Sequence, residues 1–384
     1  MKLVFLSNYL NHHQLPFCLE MYKRLGADFT FVATAAVSES RLALGYADLD
    51  HAYPFVICAY DGPEQQQAAC DVTDRADVVI IGSAPMSFVK ARLKRRKLTF
   101  LYSERLYKQQ PSWWKRIRSM LRTQYKYGMG SSMYLLCASA YSAGDYAKNL
   151  TFKNKTYKWG YFPQVNRYEP DGLMDRKENA LILWAGRMIN WKHPDSVVQV
   201  AYRLKQAGYS FRVQMLGTGE MEQQLQEQIR ELGLEDCVTM PGAMPPEQVR
   251  ELMEQAAIYL FTSDRNEGWG AVLNESMNSG CAVVASDAIG AAPFLIKDGK
   301  NGRVYESENT DDLYEKVKYL LDNPQIREAM GRNAYETMVG MWNAETAAER
   351  LLALSRALAD GQQYPRLYAD GPCSKAEILR NKHA

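Results

Sequence analysis

"AAIYLFTSDRNEGWGAVLNESMNSGCAVVAS", residues 256–286, holds a complete strand–helix–strand unit. The apolar run "AAIYLFTS" ends near Ser263. The loop "DRNEGWG" follows, then a helical stretch from about Gly270 to Ser279, then a second apolar run, "CAVVAS". Runs this apolar suit strands buried on both faces, as in a parallel sheet covered by helices. The stretch also holds two carboxylates, Glu267 and Glu275, with seven residues between them. Glu267 falls in the loop before the helix. Glu275 falls about one and a half turns into it.

The same alternation extends outward in both directions. The first half gives "KLVFLS", "DFTFVAT", "YPFVICA", "DVVIIGS", "KLTFLYS" and "MYLLCAS"; the second half adds "ALILWAG" and "FRVQMLG". Helical periodicity lies between the runs. In "GEMEQQLQEQIRELG", Met221, Leu225, Ile229 and Leu232 recur at helical spacing among charged residues. Strand–helix alternation in both halves predicts two doubly wound α/β domains. The best boundary is "PQVNRYEPDGLMDRKEN", residues 163–179, which is polar, holds two prolines and precedes a fresh strand at Ala180. The expected domains are 1–165 and 166–345, followed by C-terminal helices over 346–384. Asn343 suits the N-cap of the last strong helix and Gly361 its stop. The remaining tail mixes turn residues with a candidate short last helix; the alternative is a loosely attached end. No internal repeat or low-complexity segment is evident.

Composition narrows the class. A length of 384 residues suggests two domains. A net charge of +2 excludes polyanion binding by the chain as a whole. The seven cysteines are scattered and form no CxxC pair, which predicts reduced thiols in a cytoplasm and neither a zinc site nor a disulfide framework. "MKLVFLSNYLNHHQ" reads as a first strand and not as a signal peptide. No stretch approaches about 20 apolar residues, so no membrane span is predicted.

Three features of the second half carry chemistry. "ALILWAG" ends in Gly186, Arg187 follows directly, and Lys192 comes five residues later. Ligands of open α/β sheets bind at the carboxyl ends of strands, and two cations there suit a diphosphate. Taken alone, they also read as ordinary surface charges. In "MLGTGEM", Gly217 and Gly219 predict a tight turn before a helix, whose N-terminus offers N–H groups to an anion. The third glycine of a dinucleotide-binding fingerprint is missing. Beside Glu267, Gly268 and Gly270 leave backbone N–H groups to face a phosphate or sugar, and carboxylates suit diols. The plain alternative is that both acids complement a helix dipole.

Together these features resemble the retaining glycosyltransferases of family 4. The resemblance rests on "AGRMINWKHP", "MLGTGEME", "MPGAMPPEQV", "SDRNEGWGAVLNESMNSGCAVVASD" and "IKDGKNGRVY", within about residues 175–345. "MWNAETAAERLLAL" looks like that family's closing helix, which crosses back to the first domain. The resemblance implies an α/β fold of the GT-B type, two Rossmann-like doubly wound domains facing a cleft. It implies that Arg187, Lys192 and Glu267 form the catalytic set: the cations neutralise the donor diphosphate, and Glu267 contacts the donor sugar. Glu275 is implied to bind the ribose, and the backbone N–H groups of Gly268, Trp269, Gly270 and Ala271 to contact sugar and phosphate. Gly186, Gly217 and Gly219 are implied on the donor side, with Gly242, Ala243 and Met244 beside the base. The implied donor is a nucleotide diphosphate sugar, with no cofactor and no metal. Two places depart from the pattern. "SNYLNHHQLP" has no glycine where a Gly-Gly loop is usual, and Phe294 stands near an expected acid.

The first half is expected to take the acceptor, a sugar or a lipid-linked sugar. Acceptor-side candidates are Asn11, His12, His13, Ser103, Glu104 and Arg105. From Lys90 to Lys126 there are 13 Lys or Arg against one acid, Glu104. Trp113, Trp114, Ile117, Met120 and Leu121 are able to share a helix face flanked by Lys115, Arg116, Arg118 and Arg122. Such a helix over residues 111–126 suits an anionic membrane surface. The alternative is a surface helix that packs its tryptophans inward. No recognition motif for nucleic acid accompanies the charge. The expected protein is a cytoplasmic retaining glycosyltransferase, peripheral on the inner membrane face, in polysaccharide or glycolipid assembly. Its rivals are a sugar-nucleotide epimerase of the same fold and a non-catalytic sugar-nucleotide or membrane-binding module.

Overall fold

A computed structural model describes residues 1–39, 47–108, 112–127 and 132–379, and every apolar run quoted above forms a strand in it. The first sheet holds β1 (Leu3–Ser7), β2 (Phe29–Ala33), β3 (Val56–Cys58), β4 (Val78–Ile81), β5 (Thr99–Ser103), β6 (Met133–Cys137) and β7 (Thr156–Lys158). Their order is β3-β2-β1-β4-β5-β6-β7. The second holds β8 (Glu178–Ala185), β9 (Arg212–Leu216), β10 (Val238–Gly242), β11 (Ala256–Phe261), β12 (Ala282–Ser286) and β13 (Arg303–Tyr305), in the order β10-β9-β8-β11-β12-β13. Neighbouring strands are parallel throughout both sheets. Each sheet is doubly wound, and its order reverses between its first and fourth strands, β1/β4 and β8/β11. Such reversals place ligand crevices at the carboxyl ends of the strands. β11 and β12 are buried along their whole length, which explains their apolar sequences.

The chain forms two compact units, Met1–Gln164 with Asn343–Ala384, and Val165–Trp342. The closing helix Ala344–Ala359 begins at Asn343, whose Oδ1 accepts from Thr346 N at 2.8 Å. It packs on helix Leu15–Leu25 within the first unit. The tail expected to end in a short helix has none among its described residues. Lys375 instead forms an antiparallel bridge with Tyr157, and Lys158 pairs with Asp370 at 2.7 Å. The segment 163–179 is more than a polar linker. It contains helix Pro170–Asp175, and Asn166 N donates to Asn278 Oδ1 at 2.8 Å.

The basic run also divides. Arg92 is fully buried and donates to the carbonyls of Thr73, Ala76, Asp77 and Leu98. Arg95 pairs with Asp74. These cations stitch the first unit together. The later ones lie on helix Trp113–Tyr127; residue 111 of the expected membrane segment lies outside the described residues. All seven cysteines are free thiols. No helix among the described residues is long and apolar enough to cross a membrane.

Candidate donor and acceptor sites

In the second unit, the segment after β8 and the end of β11 are sewn together. Asp264 N donates to Trp191 O at 3.0 Å, and Thr262 Oγ1 donates to Lys192 O at 2.5 Å. Trp184 Nε1 holds Thr262 Oγ1 at 2.9 Å, and Tyr259 OH donates to Ala185 O at 3.1 Å. This stitching brings Lys192 against Glu267. Their ammonium and carboxylate form an ion pair, and Ser263 Oγ donates to the same carboxylate oxygen at 3.1 Å. The two side chains are only 15% and 14% exposed. A mostly buried pair of this kind leaves an uncompensated charge if either partner is removed.

Trp191 lies inside "AGRMINWKHP", but the resemblance implies no role for it. Lys192 Nζ lies 4.7 Å from its ring centroid and Arg187 Cζ 5.9 Å from it. The indole thus stands beside both cations, close enough for cation–π attraction. Arg187 is exposed.

The glycine turn is explained first by packing. Gly217 has φ +124°, and a Cβ there would lie 1.9 Å from the carbonyl oxygen of Gly186. A Cβ on Gly219 would lie 2.3 Å from that of Met188. The turn after β9 therefore rests directly on the loop after β8, joined by Met188 N to Thr218 O at 2.9 Å and Met221 N to Met188 O at 3.0 Å. Gly242 ends β10 and accepts from Gly217 N at 2.8 Å; beyond it Ala243 is exposed and Met244 half-buried.

Helix Ala271–Asn278 starts at Gly270, in a left-handed conformation with φ +88°. A Cβ there would meet the Phe261 ring at 2.6 Å. Neighbouring Trp269 is buried, its Nε1 donating to Asn274 Oδ1 at 2.9 Å and its ring near Phe294 and Trp342. Its side chain is core, so it offers a ligand only its backbone. Phe294, at the departure from the family pattern, is likewise buried and stacks on Trp342.

Glu275 is half-buried in the same helix. Burial pushes its carboxyl above the usual range, while Arg250 opposes the shift. Arg250 also binds Asn278 Oδ1, and its own buried Nε has no hydrogen-bond partner among the described residues. It lies on helix Pro246–Gln255, where nothing in the sequence singled it out.

His193 follows Lys192 with φ +47° and holds Nε2 3.7 Å from Asp264 Oδ2. Burial works to raise the Asp264 carboxyl, but His193 and the Asn266 amides together hold it low. Asp264 in turn raises the His193 imidazole against the opposing effect of burial. With Glu308, these residues bring three ligand-type atoms within 4.8 Å of one another; His51, Cys58 and Asp61 do the same in the first unit. No sequence spacing marked either trio.

In the first unit, His13 and Glu104 come together through Tyr161. The His13 ring stacks on Tyr161 at 5.6 Å, and Tyr161 OH donates to Glu104 Oε1 at 2.5 Å. The cluster follows the ends of β1 and β5. Burial, reinforced by His12, pushes the His13 imidazole down to about 3, which keeps it neutral at ordinary pH. The other candidates have scaffold contacts. Asn11 Oδ1 accepts from His13 N and Gln14 N, both at 3.0 Å. Ser103 Oγ donates to Glu104 O at 2.8 Å and receives Tyr146 OH at 3.0 Å. Arg105 is buried over the Tyr141 ring at 4.6 Å.

Residues 170–337 match the family model described as Glycosyl transferases group 1. The second unit resembles the group 1 glycosyl transferases. Alpha-D-kanosaminyltransferase of Streptomyces kanamyceticus is 29% identical over 187 residues, 49% of this chain and 47% of that protein. Poly(ribitol-phosphate) alpha-N-acetylglucosaminyltransferase of Staphylococcus aureus is 27% identical over 168 residues, 44% of this chain and 34% of that protein. The chain thus spans about half or less of the length of these curated relatives. The crystal structure of Anabaena HepE in complex with UDP superposes with a TM-score of 0.70 at 16% identity, covering 93% of this chain and 100% of that one. The fold is GT-B.

Proposed function

We propose that the chain is a retaining glycosyltransferase, moving a sugar from a nucleotide diphosphate sugar to an acceptor hydroxyl in polysaccharide or glycolipid assembly. The observation that carries this reading is the Lys192–Glu267 pair with Arg187 close by, where β8 and β11 end. In this reading Arg187 and Lys192 neutralise the departing diphosphate, and the N-terminus of helix Ala271–Asn278 adds its partial positive charge. Glu267 faces the donor sugar and Glu275 the ribose. The acceptor oxygen forms its bond to the anomeric carbon on the face from which the diphosphate leaves. The leaving phosphate oxygen takes the acceptor proton, so no protein base is required. His13, Tyr161 and Glu104 supply the acceptor side. A neutral imidazole and a phenol suit hydrogen bonds to sugar hydroxyls. The matched relatives named as sugar transferases support the reaction class, and the UDP bound to HepE makes uridine diphosphate the first nucleotide to try.

A thermal-shift panel of nucleoside diphosphates, followed by transfer assays with the matching nucleotide sugars, tests the proposal. One diphosphate should raise the melting temperature, because a ligand bound only to the native state stabilises it. The matching sugar should then pass to an added acceptor with its anomeric configuration kept. Binding without transfer to any acceptor would favour a non-catalytic module; release of an epimerised sugar nucleotide without acceptor would favour the epimerase.

A further inference from the structure

Helix Trp113–Tyr127 presents three faces, and among the described residues only one of them packs on the protein. Its inner face is small and largely polar. Ser119 Oγ accepts from Tyr107 OH at 2.9 Å, and Gln124, at the border with the apolar face, donates through Nε2 to the carbonyls of Asn149 and Leu150 at 2.9 and 2.8 Å. Thr123 is buried, and Tyr127 meets Tyr146 and Phe152. The second face is apolar and faces solvent. Trp113 is 59% exposed, Trp114 65%, Leu121 62% and Tyr125 89%, with Ile117 among them. At ~100° per residue these five side chains span an arc of about 120°. The third face carries Lys115, Arg118, Arg122 and Lys126, all exposed, in the next sector. Leu150, also exposed and tied to Gln124, extends the apolar surface beyond the helix.

The tryptophans therefore do not pack inward. An exposed apolar stripe of this size on a soluble surface marks an interaction site. Its placement beside a row of cations selects the partner. Nucleic acid would satisfy the cations and leave the stripe in water. An anionic bilayer satisfies both: indole and leucine enter the headgroup boundary, where aromatic rings settle well, while Lys and Arg meet lipid phosphates. We propose that this helix lies in the surface of an anionic membrane and docks the first unit there. The inference is independent of the donor chemistry.

The test uses the whole protein and sedimenting vesicles of phosphatidylcholine with or without phosphatidylglycerol. Wild type should bind the anionic vesicles at low salt, leave them at high salt, and show a blue shift in tryptophan emission. Arg118→Glu with Arg122→Glu should weaken partitioning roughly 30-fold or more, since each cation near an anionic surface contributes about fivefold. Trp113→Ala with Trp114→Ala should weaken it too and abolish the blue shift. Neither pair touches the inner face, so unchanged melting temperatures are expected and serve as the folding control. Failure to bind either vesicle, equal binding to both, or binding that neither pair of substitutions alters would overturn the proposal. The first of these would point to a protein partner for the stripe.

Discussion

Lys192 and Glu267, 75 residues apart in sequence, meet in one mostly buried ion pair that Ser263 completes. A loop after β8 supplies the cation, and a loop after β11 supplies the acid. Each side chain holds the other in position, so neither acts alone in the proposed site.

Their substitutions should therefore be strongly non-additive. Lys192→Ala and Glu267→Gln should each lower kcat/KM by about one to three orders of magnitude. The double variant should fall far short of the product of the two losses, because residues in contact couple. Steady-state kinetics of the three variants decide it. Near-normal turnover in both single variants would remove the pair from the mechanism.

Glu275 should behave differently. It is argued to bind the ribose, an interaction made equally in ground and transition states. Glu275→Gln should mainly raise the donor KM, while Glu267→Gln should mainly lower kcat. Unchanged kinetics in both variants would reduce the Glu-x7-Glu pair to a helix-capping feature.

The glycine turn yields a stability prediction. Gly217→Ala drives a Cβ into the carbonyl of Gly186 at a backbone angle side chains rarely adopt. It should cost ~3 kcal/mol or more, or prevent folding. Gly208→Ala is the control: its φ is +79°, but nothing lies within 4 Å of the added Cβ. There the cost should be only about 1–2 kcal/mol. Equal losses in denaturant titrations would show that backbone angle, and not the close approach of the two loops, governs the site.

His13 should make stability depend on acid. The unfolded imidazole takes up a proton as pH falls through about 6.5, whereas the folded one resists until about 3. Between those values the unfolded chain binds more protons, so stability present above the unfolded value is lost as pH falls. Allowing for partial exposure, His13→Gln should recover ~1–3 kcal/mol of the loss between about pH 7 and about pH 4. Urea midpoints of both proteins at the two values measure it. Parallel pH slopes would contradict the burial of this ring.

The layered architecture is legible in the order of the amino acids. A strand buried on both faces is apolar along most of its length, so β1, β4, β11 and β12 are legible as apolar runs, with Ser7 and Ser286 only at the carboxyl ends of β1 and β12. Edge strands escape that rule. β7 and β13 have three residues each and β10 contains a proline, and all three lie at sheet edges where polar residues are tolerated. The sequence likewise marked Lys192, Glu267 and Glu275 individually, because ligand-facing residues of such folds follow strand ends at short range. Which of them touch follows from how distant segments fold together. Arg250 and Tyr161 take their positions from contacts between segments far apart in the chain, and no local spacing encodes such contacts. That folding also determines that Gly217 and Gly219 serve the approach of two loops, that Trp269 is core, and that Trp113 and Trp114 face outward. The periodicity of a helix says which side chains share a face. What that face meets depends on the rest of the molecule.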